Sequence, residues 1–197
     1  MSDFWIYFTV GLKHVLNVYA YDHILFLLAL TVPYEFKSWK RVLLLVSLFT
    51  IGHSLALFIS VFNIVSIKST IVEFLIPITI LIAALYNIIL AGKSSKKETI
   101  TFTGITTALF GIIHGLAFSN YFNSILPGKP TDKLLPLTEF ALGIETSQII
   151  IVVVSLLLAY MVQNLFKFSK RDWTLTISAF VVGVVIPIIL QSDIWHK

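Results

Sequence analysis

The sequence predicts an all-α, polytopic transmembrane bundle of about six helices with both termini extracytoplasmic. Three observations carry this expectation: an apolar composition, a succession of runs long enough to cross a bilayer, and basic residues confined to alternate loops. Of 197 residues, 57% are hydrophobic and 12% charged, and mean hydropathy is +0.93. A soluble domain carries about 25% charged residues. No stretch is long and polar enough to fold in water by itself, so residues 1–197 read as a single integral membrane domain. The apolar runs show no period-two alternation, which argues against strands.

Taken in order, each run has the ~20 residues needed to cross ~30 Å of hydrocarbon. The first covers about 5 to 32 and ends at Pro33; Lys13, His14 and Asn17 wet its front half, so it begins as an interfacial helix that bends inward. The second covers about 40 to 62, the third 70 to 91 and the fourth 101 to 122. After Leu126-Pro127-Gly128-Lys129-Pro130 come the fifth, 135 to 165, and the sixth, 173 to 190. Lys37, Lys40 and Arg41 follow the first run, Lys93, Lys96 and Lys97 the third, and Lys167, Lys170 and Arg171 the fifth. The opposite loops hold Lys68, then Lys129 and Lys133 beside Asp132. Bases accumulate on the cytoplasmic side, so the net charge of +4 is a topological signal and not one for nucleic acid. Met1-Ser2-Asp3 lacks a basic region, and no cleavable signal peptide is expected. The absence of cysteine excludes thiolate ligands, disulfides and a cysteine nucleophile.

The apolar runs contain four of the five histidines, His14, His23, His53 and His114, together with Asp22, Glu73 and Glu145. Such a group costs at least ~2.5 kcal/mol in hydrocarbon, so it faces a bundle interior and has partners. Imidazole with carboxylate suits Ni, Co, Zn or Cu better than Mg or Ca. On one continuous helix, His14 and Asp22 would stand about 80° apart and face one cavity. Asp22 and His23, about 100° apart, can divide the work, one ligating and the other orienting a ligand or meeting a second helix. His53 follows Gly52 beside a hydroxyl face of Ser47, Thr50 and Ser54, which suits either packing or ligation. Gly111 and Gly115 flank His114 and let a backbone or a ligand approach its ring. Glu73 and Asn87 share a stripe but stand ~21 Å apart in height. Glu73 then belongs to an outer cavity or to the solvated interface, and Asn87 to an inner path or an interhelical bond. Glu145 and Gln148 share a face. Glu139, near the water boundary, reads as solvated. With the topology above, the ionisable groups of five runs gather at one level on the extracytoplasmic side. The sixth run has none and reads as a lipid-facing wall.

Taken together, His14 ahead of Tyr21-Asp22-His23-Ile-Leu-Phe, Phe49-Thr50-Ile-Gly-His53-Ser54, Val72-Glu73 with Asn87, Phe110-Gly111-Ile-Ile-His114-Gly115-Leu-Ala-Phe118, and Gly143-Ile-Glu145-Thr-Ser-Gln148 resemble the HupE/UreJ family. That family comprises small bacterial membrane proteins associated with hydrogenase and urease operons and regarded as nickel or cobalt permeases. The resemblance spans nearly the whole chain. It implies a multi-pass protein of the bacterial inner membrane that handles Ni²⁺ first and Co²⁺ next, with maturation proteins of nickel enzymes as partners. It also implies metal-handling roles for His14, Asp22, His23, His53, His114 and Glu145. Departures are Val15 in place of the proline after the first histidine, Ala20 and Tyr21 where a glycine precedes the Asp-His pair, Tyr86 for an acid, and Ala141 for an asparagine.

The expected function is a permease for a divalent transition ion, with Glu73, Asn87, Gln148 and Ser54 along the pathway or behind the ligands. No G-x-x-x-x-G-K-[ST] occurs, so the chain offers no P-loop for ATP. Two rival readings stay open. One is an intramembrane hydrolase holding Zn²⁺ by three histidines and a carboxylate, with Ser54, Ser119 and Glu145 as helpers. The other is a non-transporting, metal-binding accessory protein.

Overall fold

The computed structural model describes residues 3–19, 21–62, 64–65, 67–92, 100–125 and 129–196. Among the described residues there are seven α-helices and no strand: α1 (Asp3–Val15), α2 (Asp22–Thr31), α3 (Trp39–Val61), α4 (Ser69–Leu90), α5 (Ile100–Ile125), α6 (Leu134–Leu165) and α7 (Lys170–Leu190). The last five are each long and apolar enough to span a bilayer, which makes this a multi-pass membrane protein. Of the residues read above, Met1, Ser2, Ala20, Lys93, Lys96, Lys97 and the loop 126–128 lie outside the described set.

The first apolar run is divided, not continuous. Asn17 supplies the physical reason: its Oδ1 accepts the Tyr19 N–H at 3.0 Å, and such local side-chain acceptors compete with the helical ladder. The 80° relation between His14 and Asp22 on one helix therefore does not apply. His14 closes α1 and Asp22 opens α2.

Close backbone approach assembles the bundle, as expected where lipid removes the hydrophobic drive between helices. α1 lies along α6, with Gly11 against the Phe140 carbonyl and Gly143 against the Phe8 carbonyl. The Ser147 hydroxyl adds a bond to the Leu12 carbonyl at 2.9 Å. α3 and α5 meet in the same manner, Gly52 on the Ala108 carbonyl and Gly111 on the Phe49 carbonyl. In both pairs the contacts advance together along the two chains, so the paired helices run in the same direction.

The Trp195 ring meets Phe74 at 5.5 Å, which sets the end of α7 beside the start of α4. Since α1 also starts at the end where α6 starts, the first and last described residues, Asp3 and His196, lie at one end of the bundle. Lys37, Lys40 and Arg41, and Lys167, Lys170 and Arg171, belong to the other end. There Glu35 pairs with Lys37 at 2.7 Å and approaches Lys170 at 3.7 Å. The hydrogen bond from Lys37, with the Lys170 charge beside it, holds the Glu35 carboxyl below its ordinary range. α7 buries Thr174, Ser178, Val181 and Val185 and exposes Phe180, Ile186 and Leu190, as a lipid-facing wall requires.

A side chain at Gly111 or Gly143 would strike a neighbouring backbone. Gly111→Val and Gly143→Val are therefore expected to cost about 1–3 kcal/mol or more, read as a lower melting temperature in tryptophan fluorescence. Gly183→Ala, whose added Cβ meets nothing within 4 Å, should leave it unchanged.

Candidate metal centre

Four imidazoles converge where α1 ends and α2 begins. The His14 ring lies 4.7 Å from His23 and 6.0 Å from His53, between centroids. His23 lies 6.2 Å from His53 and 5.1 Å from His114. One nitrogen from each of His14, His23 and His53 falls within 4.8 Å of the others. Donors sharing an ion at ~2.1 Å lie at most ~4.2 Å apart, so the group as it stands is slightly wider than a shared ion would hold it.

Hydrogen bonds decide which nitrogens face the centre. At the first residue of α2, Asp22 Oδ1 accepts both the His23 backbone N–H at 2.9 Å and the His23 ring Nδ1 at 3.1 Å. A carboxylate beside a helix N-terminus also complements the macrodipole. The His114 Nδ1 stands 2.8 Å from the Phe110 carbonyl. Carboxylate and carbonyl oxygens only accept, so both rings carry hydrogen on Nδ1 and present a lone pair at Nε2. Nε2 of His14, His23 and His114, and both nitrogens of His53, are buried with no hydrogen-bond partner among the described residues. Buried polar atoms are almost always paired. Their convergence, with the Asp22 charge alongside, is an arrangement that could hold a cation, and imidazole donors suit the Co, Ni, Cu and Zn range.

Aromatic rings enclose this centre. Phe118 lies 3.9 Å from His14 and stacks on Phe140 at 4.9 Å, with planes 6° apart. On the other side Phe49 and Phe26 reach His114 at 5.2 and 5.7 Å, and Phe110 meets Phe26 at 5.6 Å. Beyond Phe26 and Phe110 lies a cavity of about 150 Å³ between α2, α4 and α5, lined in part by Asn87, Thr103 and Thr107. Phe26, Phe49, Phe110 and Phe118 stand within four residues of His23, His53 or His114 in the sequence, but there they look like any bilayer filler, and only the fold shows them against the rings.

The remaining candidates separate. Glu145 accepts the Ser47 hydroxyl at 2.5 Å, and Gln148 Oε1 accepts that of Thr50 at 2.8 Å, so both tie α6 to α3. Neither Glu145, Asp22 nor His114 belongs to the 4.8 Å group. Asn87 Nδ2 donates to the Ala29 carbonyl at 2.7 Å, the interhelical bond that was one of its two readings. Glu73 is exposed, four residues from the start of α4, so the expectation of ionisable groups from five runs at one level reduces to imidazoles from α1, α2, α3 and α5. Ser54 is half-buried next to His53. Glu139 departs furthest from expectation: it is buried, not solvated.

A family model described as "HupE / UreJ protein" matches residues 1–192. No curated protein and no solved structure gives a significant match.

Asp22→Asn keeps the size of the side chain and removes the charge that fixes the His23 ring. Loss of a partner behind a ligand typically costs about 10–100-fold in metal affinity. The purified variant should bind Co²⁺ more weakly by that factor in an absorption titration; unchanged affinity would remove Asp22 from the centre.

Proposed function

Because the chain belongs to the HupE/UreJ family, we propose that it is a permease carrying a divalent transition ion, Ni²⁺ first and Co²⁺ next, across the bacterial inner membrane. One observation carries this reading: imidazole nitrogens from four separate helices are buried, converge, and lack hydrogen-bond partners among the described residues. In this reading His14, His23 and His53 replace the water around the ion, His114 joins them on one side, and Asp22 offsets its charge. Glu145 and Gln148 hold α6 to α3 behind the ligands. The positive-inside distribution supports a centre that loads from outside the cytoplasm, where both termini would lie.

The division of the first span supports transport in particular. Interrupted transmembrane helices are a recurring device for ion sites near mid-membrane, and here a break brings ligands from both halves of one span together. Aromatic layers on either side fit an ion held between two barriers that open in turn. The zinc-hydrolase reading has less support, since two of its expected helpers are engaged elsewhere, Ser119 on the Leu116 carbonyl and Glu145 by Ser47. Maturation proteins of nickel enzymes would receive the released ion.

Cells lacking other nickel importers should accumulate radioactive Ni²⁺ when the protein is expressed, and His23→Ala should abolish this. Equal accumulation by variant and wild type would sink the permease reading.

A further inference from the structure

Glu139 has no part in the centre described above, yet it is 6% exposed and its Oε2 is buried without a hydrogen-bond partner among the described residues. An ionisable group in that condition is costly within a membrane and points to function. The nearest basic residue along the chain, Lys133, is itself 9% exposed and donates to Asn123 Oδ1 at 3.0 Å. Asn123 in turn lies 3.5 Å from the Ser60 hydroxyl. That buried cation is engaged in another chain of bonds.

The register of α1 against α6 fixes the height of Glu139. Gly143 packs against Phe8 and Leu12, and Ser147 bonds the Leu12 carbonyl. Position 139 is then level with about residue 6 of α1, roughly eight residues or ~12 Å from His14 toward the terminus-bearing end. Its neighbour Phe140 stacks on Phe118 and has its ring 6.0 Å from His14 and 6.2 Å from His53. Position 139 thus adjoins the aromatic layer through Phe140 and lies on its terminus-bearing side, from which the histidines would be loaded.

We propose that Glu139 is a second metal site, a receiving station that takes the divalent cation outside the Phe118–Phe140 layer and passes it to the imidazoles when that layer parts. The inference rests on the permease reading. A single carboxylate with residual water holds a hydrated divalent ion weakly, and the histidines, as softer and more numerous donors, then take it.

Radioactive Ni²⁺ uptake is measured against Ni²⁺ concentration in cells lacking other importers, and equilibrium Ni²⁺ binding on the purified full-length chain. Glu139→Gln should raise the half-saturating concentration by about tenfold or more, while the affinity and stoichiometry of equilibrium binding at the histidines stay as in the wild type. Glu139→Met, which replaces an unpartnered carboxylate with an apolar chain of similar length, should impair uptake equally with a melting temperature no lower than the wild type's. Wild-type concentration dependence in either variant overturns the station. So does a lowered melting temperature in Glu139→Met or lost equilibrium binding in Glu139→Gln, since either makes Glu139 a structural or imidazole-site residue. A wild type that accumulates no Ni²⁺ refutes the permease reading itself, whereas an active wild type with unaltered variants refutes the station alone.

Discussion

The break between α1 and α2 is the constraint on which the centre of this protein depends. Had residues 3 to 31 formed one helix, Asp22 and His23 would follow His14 by two turns, ~12 Å further along the same axis. No single ion could then have met both rings. Instead Asn17 draws the Tyr19 N–H to its own side chain, the ladder stops, and α2 restarts with Asp22 at its head. The two imidazoles come within 4.7 Å. An unwound segment inside a bilayer is tolerated where it is buried in protein or lines a cavity, so the same feature that creates the site also demands a surrounding bundle.

That bundle is built by removing side chains from the helix contacts. Gly52 and Gly111 let α3 and α5 touch through their backbones, and Gly11 and Gly143 do so for α1 and α6. The consequence for the centre is direct: Gly115 sits against the His53 carbonyl, one residue from His114, so a single close contact fixes the height of two ligand-bearing positions. Dispersion and backbone proximity take the place of the hydrophobic effect here, and close packing of this kind holds the lone-pair nitrogens away from donors elsewhere in the bundle.

The hydrogen bonds around the rings sort ligands from supports. Asp22 and the Phe110 carbonyl hold the Nδ1 hydrogens of His23 and His114, leaving Nε2 as donor to a metal. Ser47 and Thr50 occupy Glu145 and Gln148, which turns a recognisable acid-bearing motif into a clamp between helices. In the proposed permease these roles serve the handling of a transition metal, with the aromatic layers on its two sides.

Much of the architecture follows from the order of residues alone. Runs of ~20 apolar residues must become helices in a bilayer because no other local structure satisfies the backbone there, and the spans at 40 to 62, 70 to 91, 101 to 122, 135 to 165 and 173 to 190 correspond closely to α3 through α7. The histidines, too, were legible, because an ionisable group in hydrocarbon must have a reason. Tertiary structure alone decided which of them meet. A local pattern reports the face of one helix, but the contact of His14 with His23 depends on a break between two helices, and the burial of Glu139 depends on what the bundle packs around α6. Glu73 and Glu139 looked alike in sequence, each an acid near the end of a span, yet Glu73 is exposed and Glu139 enclosed. Burial is a property of the neighbours that arrive from elsewhere in the chain, and no window along the sequence contains them.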